Sequence, residues 1–212
     1  MTDLAVSLTE EAHRRLRSDI ITGRIRPNVH LVANDLAQQL EISRTPIREA
    51  LQLLASEGLV AATRRGFVVR EYSNEEIRHI YEVRAALEEM AARLAAERAT
   101  DAQIEALEKL GAHTKEAAER PREMIVDLND AFHDSIMIAA SNPRMQHINS
   151  RNSEQFFNYN IAKLYSHEEA SLAIAEHEGM LKAIKMRDSD AAAEAAREHV
   201  MNSLEVTLQK LR

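Results

Sequence analysis

The ten residues from Ile42 to Leu51, ISRTPIREAL, constrain the fold of this chain more than any other stretch. In a helix, residues three and four apart share one face, so this segment would gather its apolar side chains on one side. Those apolar positions are Ile47, Ala50, Leu51 and Leu54. Arg44 and Arg48 lie one turn apart on the opposite face. Ser43 can cap this helix, and a proline is tolerated in its first turn.

The segments on either side predict a winged helix–turn–helix. Residues 34–40 form a short amphipathic pattern, and Glu41-Ile42 can make the turn before the arginine-bearing helix. After that helix, residues 59–62 and 67–70 are typical of two short strands joined by Thr63-Arg64-Arg65-Gly66. A basic hairpin at this place is a wing that can lie against the minor groove of DNA, while the helix enters the major groove.

Residues Leu31 to Val69 resemble the DNA-binding domain of the GntR superfamily of bacterial transcription regulators. The resemblance is carried by LAQQLEISRTPIREALQLLASEGLV followed by RRGFVV. It implies that DNA is contacted by Arg44, Thr45, Arg48 and Gly66, joined by Ser43 and Arg65. Relatives often have a basic residue near the position of Asn34, which can still reach a phosphate or a base but carries no charge.

The composition changes at Ser73, after which the chain is rich in Ala, Glu and Leu and poor in Gly and Pro. Cap patterns divide this part into six predicted helices, at about 74–98, 101–118, 121–140, 143–165, 167–187 and 189–211. The predicted fold is therefore mainly α. A winged helix–turn–helix domain spans 1–72, and an all-helical six-helix bundle spans 73–212.

Charge and cysteine content limit the classes of function. The net charge of −7 is uneven, because residues 1–72 hold ten Lys/Arg and nine Asp/Glu, and the remainder is strongly acidic. An acidic body with a slightly basic head favours DNA docking at the head alone. The chain has no cysteine and no apolar run long enough to cross a bilayer. These features, with no signal peptide before the first helix, predict a cytoplasmic protein that is not in a membrane.

Three histidines of the helical part are predicted to point inward. Asn129 and His133 lie one turn apart on the same face of one helix, and His177 and His199 lie on apolar stripes of two later helices. Imidazoles from three helices can converge on a metal ion inside a bundle. The spacing alone favours the alternative of three separate core histidines that are each hydrogen-bonded to a neighbour.

The segments IRHIYEVRAALEEMAARLAAERA and NDAFHDSIMIAASNPRM resemble the all-helical effector-binding and dimerisation (FCD-type) domain of the fatty-acid-regulator-like branch of GntR proteins. This resemblance implies a divalent metal (Zn²⁺, Ni²⁺ or Mn²⁺) bound by Asn129, His133, His177 and His199. Asn129 replaces the more common Asp, which weakens the expected affinity because a neutral oxygen is a poorer ligand. Arg84 matches a position that often faces the effector; the alternative is a salt bridge to Glu88.

The favoured function is a ligand-responsive repressor that binds a pseudo-palindromic double-stranded DNA operator as a homodimer and senses a small carboxylate held by the metal. Two alternatives stay open. One is a metal-dependent helical-bundle enzyme that uses the winged head as an interaction module. The other is an architectural protein that binds DNA without sequence preference.

Overall fold

The computed structural model describes residues 7–116, 122–154 and 165–211. The chain divides into two compact units, with the boundary between Tyr72 and Ser73. Both units follow the predicted fold class, which is mainly helical with a small sheet in the first unit.

The first unit is a winged helix–turn–helix. Its elements are α1 (Leu8–Ile21), β1 (His30–Leu31), α2 (Ala33–Gln39), α3 (Arg44–Ser56), β2 (Val60–Thr63) and β3 (Gly66–Val69). The strands form an antiparallel sheet in the order β1-β3-β2, with Thr63 opposite Gly66 and His30 opposite Val68. The two predicted wing strands are confirmed to within one residue. The short β1 was not predicted, because two residues carry no alternating pattern.

The core of the first unit forms where the apolar faces of α1 and α3 meet. Its fully buried side chains include Ile20, Ile47, Leu51, Leu54 and Leu59. Gly58 ends α3 with φ +82°, the left-handed conformation that glycine adopts at low cost. Tyr72 donates a hydrogen bond to the carbonyl of Gly58 at 2.9 Å, which fixes the last residue of this unit against the end of α3.

Ser43 occupies the N-cap position of α3 but makes no capping hydrogen bond, which corrects the prediction that its side chain caps the helix. The third residue of the helix is Pro46, which has no backbone N–H to donate to the serine. The exposed hydroxyl group of Ser43 is therefore not engaged in the capping bond.

The second unit is all-helical over its described residues. Its elements are α4 (Asn74–Arg98), α5 (Asp101–Glu116), α6 (Arg122–Ala139), α7 (Pro143–Glu154), α8 (His167–Lys185) and α9 (Ser189–Lys210). Reciprocal serine–glutamate capping boxes begin α4 and α8 as predicted. The predicted helix end at 118 and the predicted start at 121 lie outside the described residues. The helix predicted over 143–165 is described as far as Glu154, and Tyr165, at its predicted end, is not helical.

Small side chains allow the helices of the second unit to approach closely. Alanines of α4 and α9 are buried in the core, namely Ala91, Ala92, Ala95, Ala96, Ala192 and Ala196. This packing places the polar residues of α4 next to helices α6 and α9, which carry two of the three histidines. Among the described residues, no helix combines the length and hydropathy that a membrane span requires.

Candidate DNA interface and metal centre

The arginine-bearing face of α3 is exposed. Arg44, Thr45 and Arg48 lie on the solvent side of the helix, whereas Ile47 and Leu51 on the other side are fully buried. The amphipathic pattern therefore has the predicted orientation. Exposed guanidinium groups near a helix N-terminus can donate to base edges and phosphates.

Asn34 lies beside this face at the start of α2. The Arg44 guanidinium donates to Asn34 Oδ1 at 3.5 Å, a long contact between two exposed side chains. Asn34 and Arg44 therefore belong to one polar surface together with Ser43, which is also exposed. The structure brings these three predicted residues together, and their contact with DNA stays a prediction.

The wing places Arg65 at an exposed turn and gives Gly66 a structural role. The Thr63 hydroxyl donates to the Gly66 carbonyl at 3.2 Å and accepts from the Arg65 amide at 3.4 Å, which closes the turn. Gly66 has φ +122°, and a Cβ on it would lie 2.7 Å from the carbonyl oxygen of Leu31. Glycine is therefore required here for the close approach of β3 to β1, whatever its role in DNA contact.

The three inward histidines converge on one point in the second unit. The Nε2 atoms of His133 (α6), His177 (α8) and His199 (α9) are each 3.2 Å from the other two. All three side chains are buried. They are the one group of at least three His, Asp or Glu ligand candidates within the described part of the chain that lies close enough to hold a metal ion.

Carboxylates on the outer side of the group fix the orientation of two imidazoles. His133 Nδ1 donates to Glu88 Oε2 at 2.7 Å, and His199 Nδ1 donates to Glu176 Oε2 at 2.7 Å. Because both Nδ1 atoms carry the proton, both Nε2 atoms point their lone pairs toward the common centre. Sequence reasoning noted Glu88 only as a partner for Arg84 and missed Glu176 altogether.

His177 is held by packing. Its ring stacks on Phe132, which is fully buried, with centroids 4.5 Å apart and an interplanar angle of 25°. Its Nδ1 atom is buried with no hydrogen-bond partner among the described residues. Burial lowers the pKa of His177 well below its ordinary value, and the neighbouring His133 and His199 lower it further. Burial also lowers the pKa of His199, against the opposing effect of the hydrogen bond that its Nδ1 donates to Glu176.

This donor set fits a divalent transition metal. Neutral imidazoles are the form that binds metals, and the low pKa values of His177 and His199 favour that form. An ion about 2.0–2.1 Å from each nitrogen requires nitrogens about 2.9–3.4 Å apart in octahedral or tetrahedral geometry, a range that includes the observed spacing. Three imidazoles without a cation cannot satisfy one another, because a single Nε2–H can donate to only one neighbour.

The fourth predicted ligand, Asn129, is half-buried, and its amide donates to Asp130 Oδ1 at 3.3 Å. Its side-chain oxygen remains the predicted ligand atom. Burial raises the pKa of Asp130 even though part of its surface is exposed, whereas the hydrogen bond from Asn129 and the charge of His133 lower it.

Arg84 is buried on α4, and its Nε donates to Glu88 Oε1 at 2.5 Å. The salt bridge that the sequence offered as the alternative is therefore present. Burial would raise the pKa of Glu88, but Arg84 and His133 hold it well below its ordinary value. The role of Arg84 toward an effector stays a prediction.

Models of two protein families match this chain. One, the FCD domain, covers residues 79–202, and the other, the gntR family of bacterial regulatory proteins, covers residues 8–69. The chain belongs to the GntR family. The GntR-like segment, Leu31 to Val69, lies within the range matched by the gntR family. Of the two FCD-like segments, the second lies within the FCD range, and the first begins at Ile77, two residues before it.

Relatives of this GntR protein match along nearly its whole length. The uncharacterized HTH-type transcriptional regulator BphR of Paraburkholderia xenovorans (strain LB400) is 30% identical over 212 residues, covering 96% of this chain and 86% of that protein. The HTH-type transcriptional repressor GlaR of Escherichia coli (strain K12) is 26% identical over 211 residues, covering 95% of this chain and 96% of that protein. The solved structure of E. coli McbR/YncC has the same fold, with a TM-score of 0.82 at 24% identity, covering 98% of this chain and 100% of that one.

The protein is therefore a transcriptional regulator with a winged helix–turn–helix and an FCD domain, and not an enzyme. BphR and GlaR are both named as transcriptional regulators, which does not favour the alternative of a metal-dependent enzyme.

Proposed function

We propose that this GntR protein is a repressor that binds a pseudo-palindromic operator as a homodimer and changes its operator affinity when a small carboxylate binds at a metal centre in the FCD domain. In this proposal residues 1–72 bind DNA, and residues 73–212 bind the effector and dimerise. The observation that carries it is the presence, on one chain, of an exposed arginine face and a buried three-histidine group.

The DNA contacts are assigned by chemistry. Arg44 and Arg48 would donate to base edges in the major groove, because an arginine can make two parallel hydrogen bonds to guanine. Ser43, Thr45 and Asn34 would contact phosphates or bases, since they lie at or beside the N-terminus of α3. Arg65 would place its charge near the minor groove, and the turn that Gly66 allows would hold it there.

The homodimer is supported by an apolar strip on the outer side of α4. Val83 and Met90 are 47% and 45% exposed and lie seven residues apart, so they share one face of the helix. A second copy of α4 would cover these side chains. Two DNA-binding units in one dimer would meet two half-sites, which accounts for the proposed pseudo-palindrome. The relative named as the repressor GlaR supports the repressor assignment.

The metal would be held by His133, His177 and His199, with Asn129 as the fourth ligand. Three or four protein ligands leave coordination positions for other donors, and a divalent ion there would supply a positive charge that attracts a carboxylate. The buried guanidinium of Arg84 would add a second cationic group on the α4 side. A small organic acid is therefore the effector class that this chemistry favours.

A thermal-shift screen tests the effector assignment. The purified protein is mixed with small carboxylates, with and without added Zn²⁺ or Ni²⁺ and with a chelator. We expect at least one carboxylate to raise the unfolding temperature only when metal is present. Stabilisation by a carboxylate that is equal with chelator would contradict a metal-held effector.

A further inference from the structure

Glu88 links the histidine group to a buried cation. The residue is 4% exposed, and its two oxygens are used by two different helices. Oε1 accepts from Arg84 Nε on α4 at 2.5 Å, and Oε2 accepts from His133 Nδ1 on α6 at 2.7 Å. A buried carboxylate is tolerated because the guanidinium compensates its charge. The carboxylate of Glu88 therefore both balances the charge of Arg84 and orients the ring of His133.

The contacts of Glu88 continue to a third helix. The Arg84 guanidinium lies over the ring of Tyr81, 5.7 Å from its centroid, and the Tyr81 hydroxyl is 2.9 Å from that of Thr207. Thr207 and Tyr81 are both buried, and Thr207 lies on α9, two turns beyond His199. A buried polar chain therefore runs from His133 through α4 to the helix that carries another histidine of the group.

Glu176, the other outer carboxylate, provides a comparison. It accepts from His199 Nδ1 at 2.7 Å, but its second oxygen accepts from the neutral amide of Asn202 at 2.6 Å. Its side chain is also more exposed, at 18% against 6% for that of Glu88. Replacing Glu176 should therefore leave no buried charge without a partner. Replacing Glu88 alone should leave the buried charge of Arg84 without its partner.

We propose that Glu88 is the positioning residue of the metal centre. By accepting from Nδ1 it holds His133 in the tautomer whose Nε2 lone pair faces His177 and His199, and through Arg84 it ties that orientation to the polar chain along α4. This inference rests on the proposed metal site. Partners of this kind stabilise metal binding because they fix the ring and its tautomer, and their loss typically lowers metal affinity about 10–100-fold.

The test separates this positioning role from simple charge balance. The double variant R84M/E88L removes both buried charges together and leaves His133 Nδ1 without its acceptor. Apolar replacement of a buried ion pair is often neutral or stabilising, so this variant should keep its fold. We expect its Zn²⁺ affinity, measured by competition with a chromogenic chelator, to fall about 10–100-fold. E176Q serves as the matched control, and its Zn²⁺ affinity should fall less than that of R84M/E88L.

A measurement of the protonated nitrogen of His133 completes the test. Nitrogen-15 NMR of the imidazoles in the metal-free full chain reports which nitrogen of His133 is protonated. The proposal expects Nδ1–H in the wild type and a loss of that preference in R84M/E88L, which has no acceptor for Nδ1–H at position 88. Either Nε2–H at His133 in the wild type or a Zn²⁺ affinity of R84M/E88L within about twofold of the wild type overturns it, since the loss expected for such a partner is larger. If the wild-type chain binds neither Zn²⁺ nor Ni²⁺, the metal site fails, and the NMR result still decides the role of Glu88.

Discussion

Pro46 stands three residues after Ser43, at the position whose backbone N–H normally bonds to the capping side chain. Proline has no such N–H, so the serine hydroxyl at the start of α3 contributes nothing to the helix through this bond. Ser73 is the direct contrast, because it caps α4 and accepts from the Glu76 amide at 3.2 Å. A serine at a helix start that does not cap its helix is consistent with a role in binding DNA.

Substitution of Ser43 by alanine should therefore leave stability unchanged within about 0.5 kcal/mol. The matched variant Ser73→Ala should lose about 1 kcal/mol of unfolding free energy, because it removes a capping box. Urea unfolding followed by circular dichroism measures both. The affinity for operator should show the opposite order, with the larger loss in Ser43→Ala. This variant should bind every DNA sequence more weakly than the wild type, as expected for the loss of a phosphate contact. Equal operator affinity of Ser43→Ala and wild type would remove Ser43 from the interface.

Arg48→Ala should weaken specific operator binding by roughly 1–3 kcal/mol and relax the sequence preference at one position of each half-site. The physical reason is the loss of a donor pair directed at a base edge. Arg15→Ala is the matched control, since Arg15 is exposed on α1 in the same unit. Fluorescence anisotropy with operator and mismatched duplexes measures the effect. If Arg15→Ala and Arg48→Ala lose the same affinity at all sequences, α3 is not the specificity element.

Gly66→Ala should destabilise the first unit by about 1–3 kcal/mol, because alanine at φ +122° is strained and its Cβ would meet the Leu31 carbonyl at 2.7 Å. The opposite outcome is expected at Gly179, inside α8, where an added Cβ has no heavy atom within 4 Å. Gly179→Ala should raise stability by about 0.5–1 kcal/mol. Chemical unfolding of both variants tests the pair. A neutral Gly66→Ala would mean that β1 does not pair closely with β3.

His177→Ala should abolish stabilisation by metal and the response to effector, while the protein without effector still binds operator. Metal at about a hundred times its Kd should stabilise the wild type by about 2.7 kcal/mol, and this increment should vanish in the variant and after chelation. His147→Ala is the control, because His147 is exposed on α7. Metal stabilisation that survives in His177→Ala but is lost in His147→Ala would contradict the site.

Local patterns in the sequence predicted the fold because each helix or cap that they indicate is determined by residues close to it in the chain. The apolar spacing around Ile47 and the capping boxes that begin α4 and α8 both depend on neighbours within a few residues. Ser43 shows the limit of this reasoning, since its residue type predicts a cap that one later proline removes.

The site was predictable only in part for the same reason. Helix periodicity predicted that His133, His177 and His199 point inward, but residues 44 or 66 positions apart carry no signal of the 3.2 Å between their Nε2 atoms. The role of Glu88 toward His133 depends on how α4 packs on α6, and the position of Glu176 likewise depends on α8 and α9. Such pairings arise from tertiary packing, which sequence spacing does not encode.

Selection from a pool of random DNA duplexes tests the central claim most directly. The full-length protein is used to enrich duplexes, and the affinity for the enriched sequence is compared with that for unrelated duplexes at the same salt concentration. The account predicts one enriched pseudo-palindromic motif that binds at least about 10³-fold more tightly than unrelated DNA. Uniform recovery of all sequences, with equal affinity for each, would contradict it and indicate an architectural DNA-binding protein.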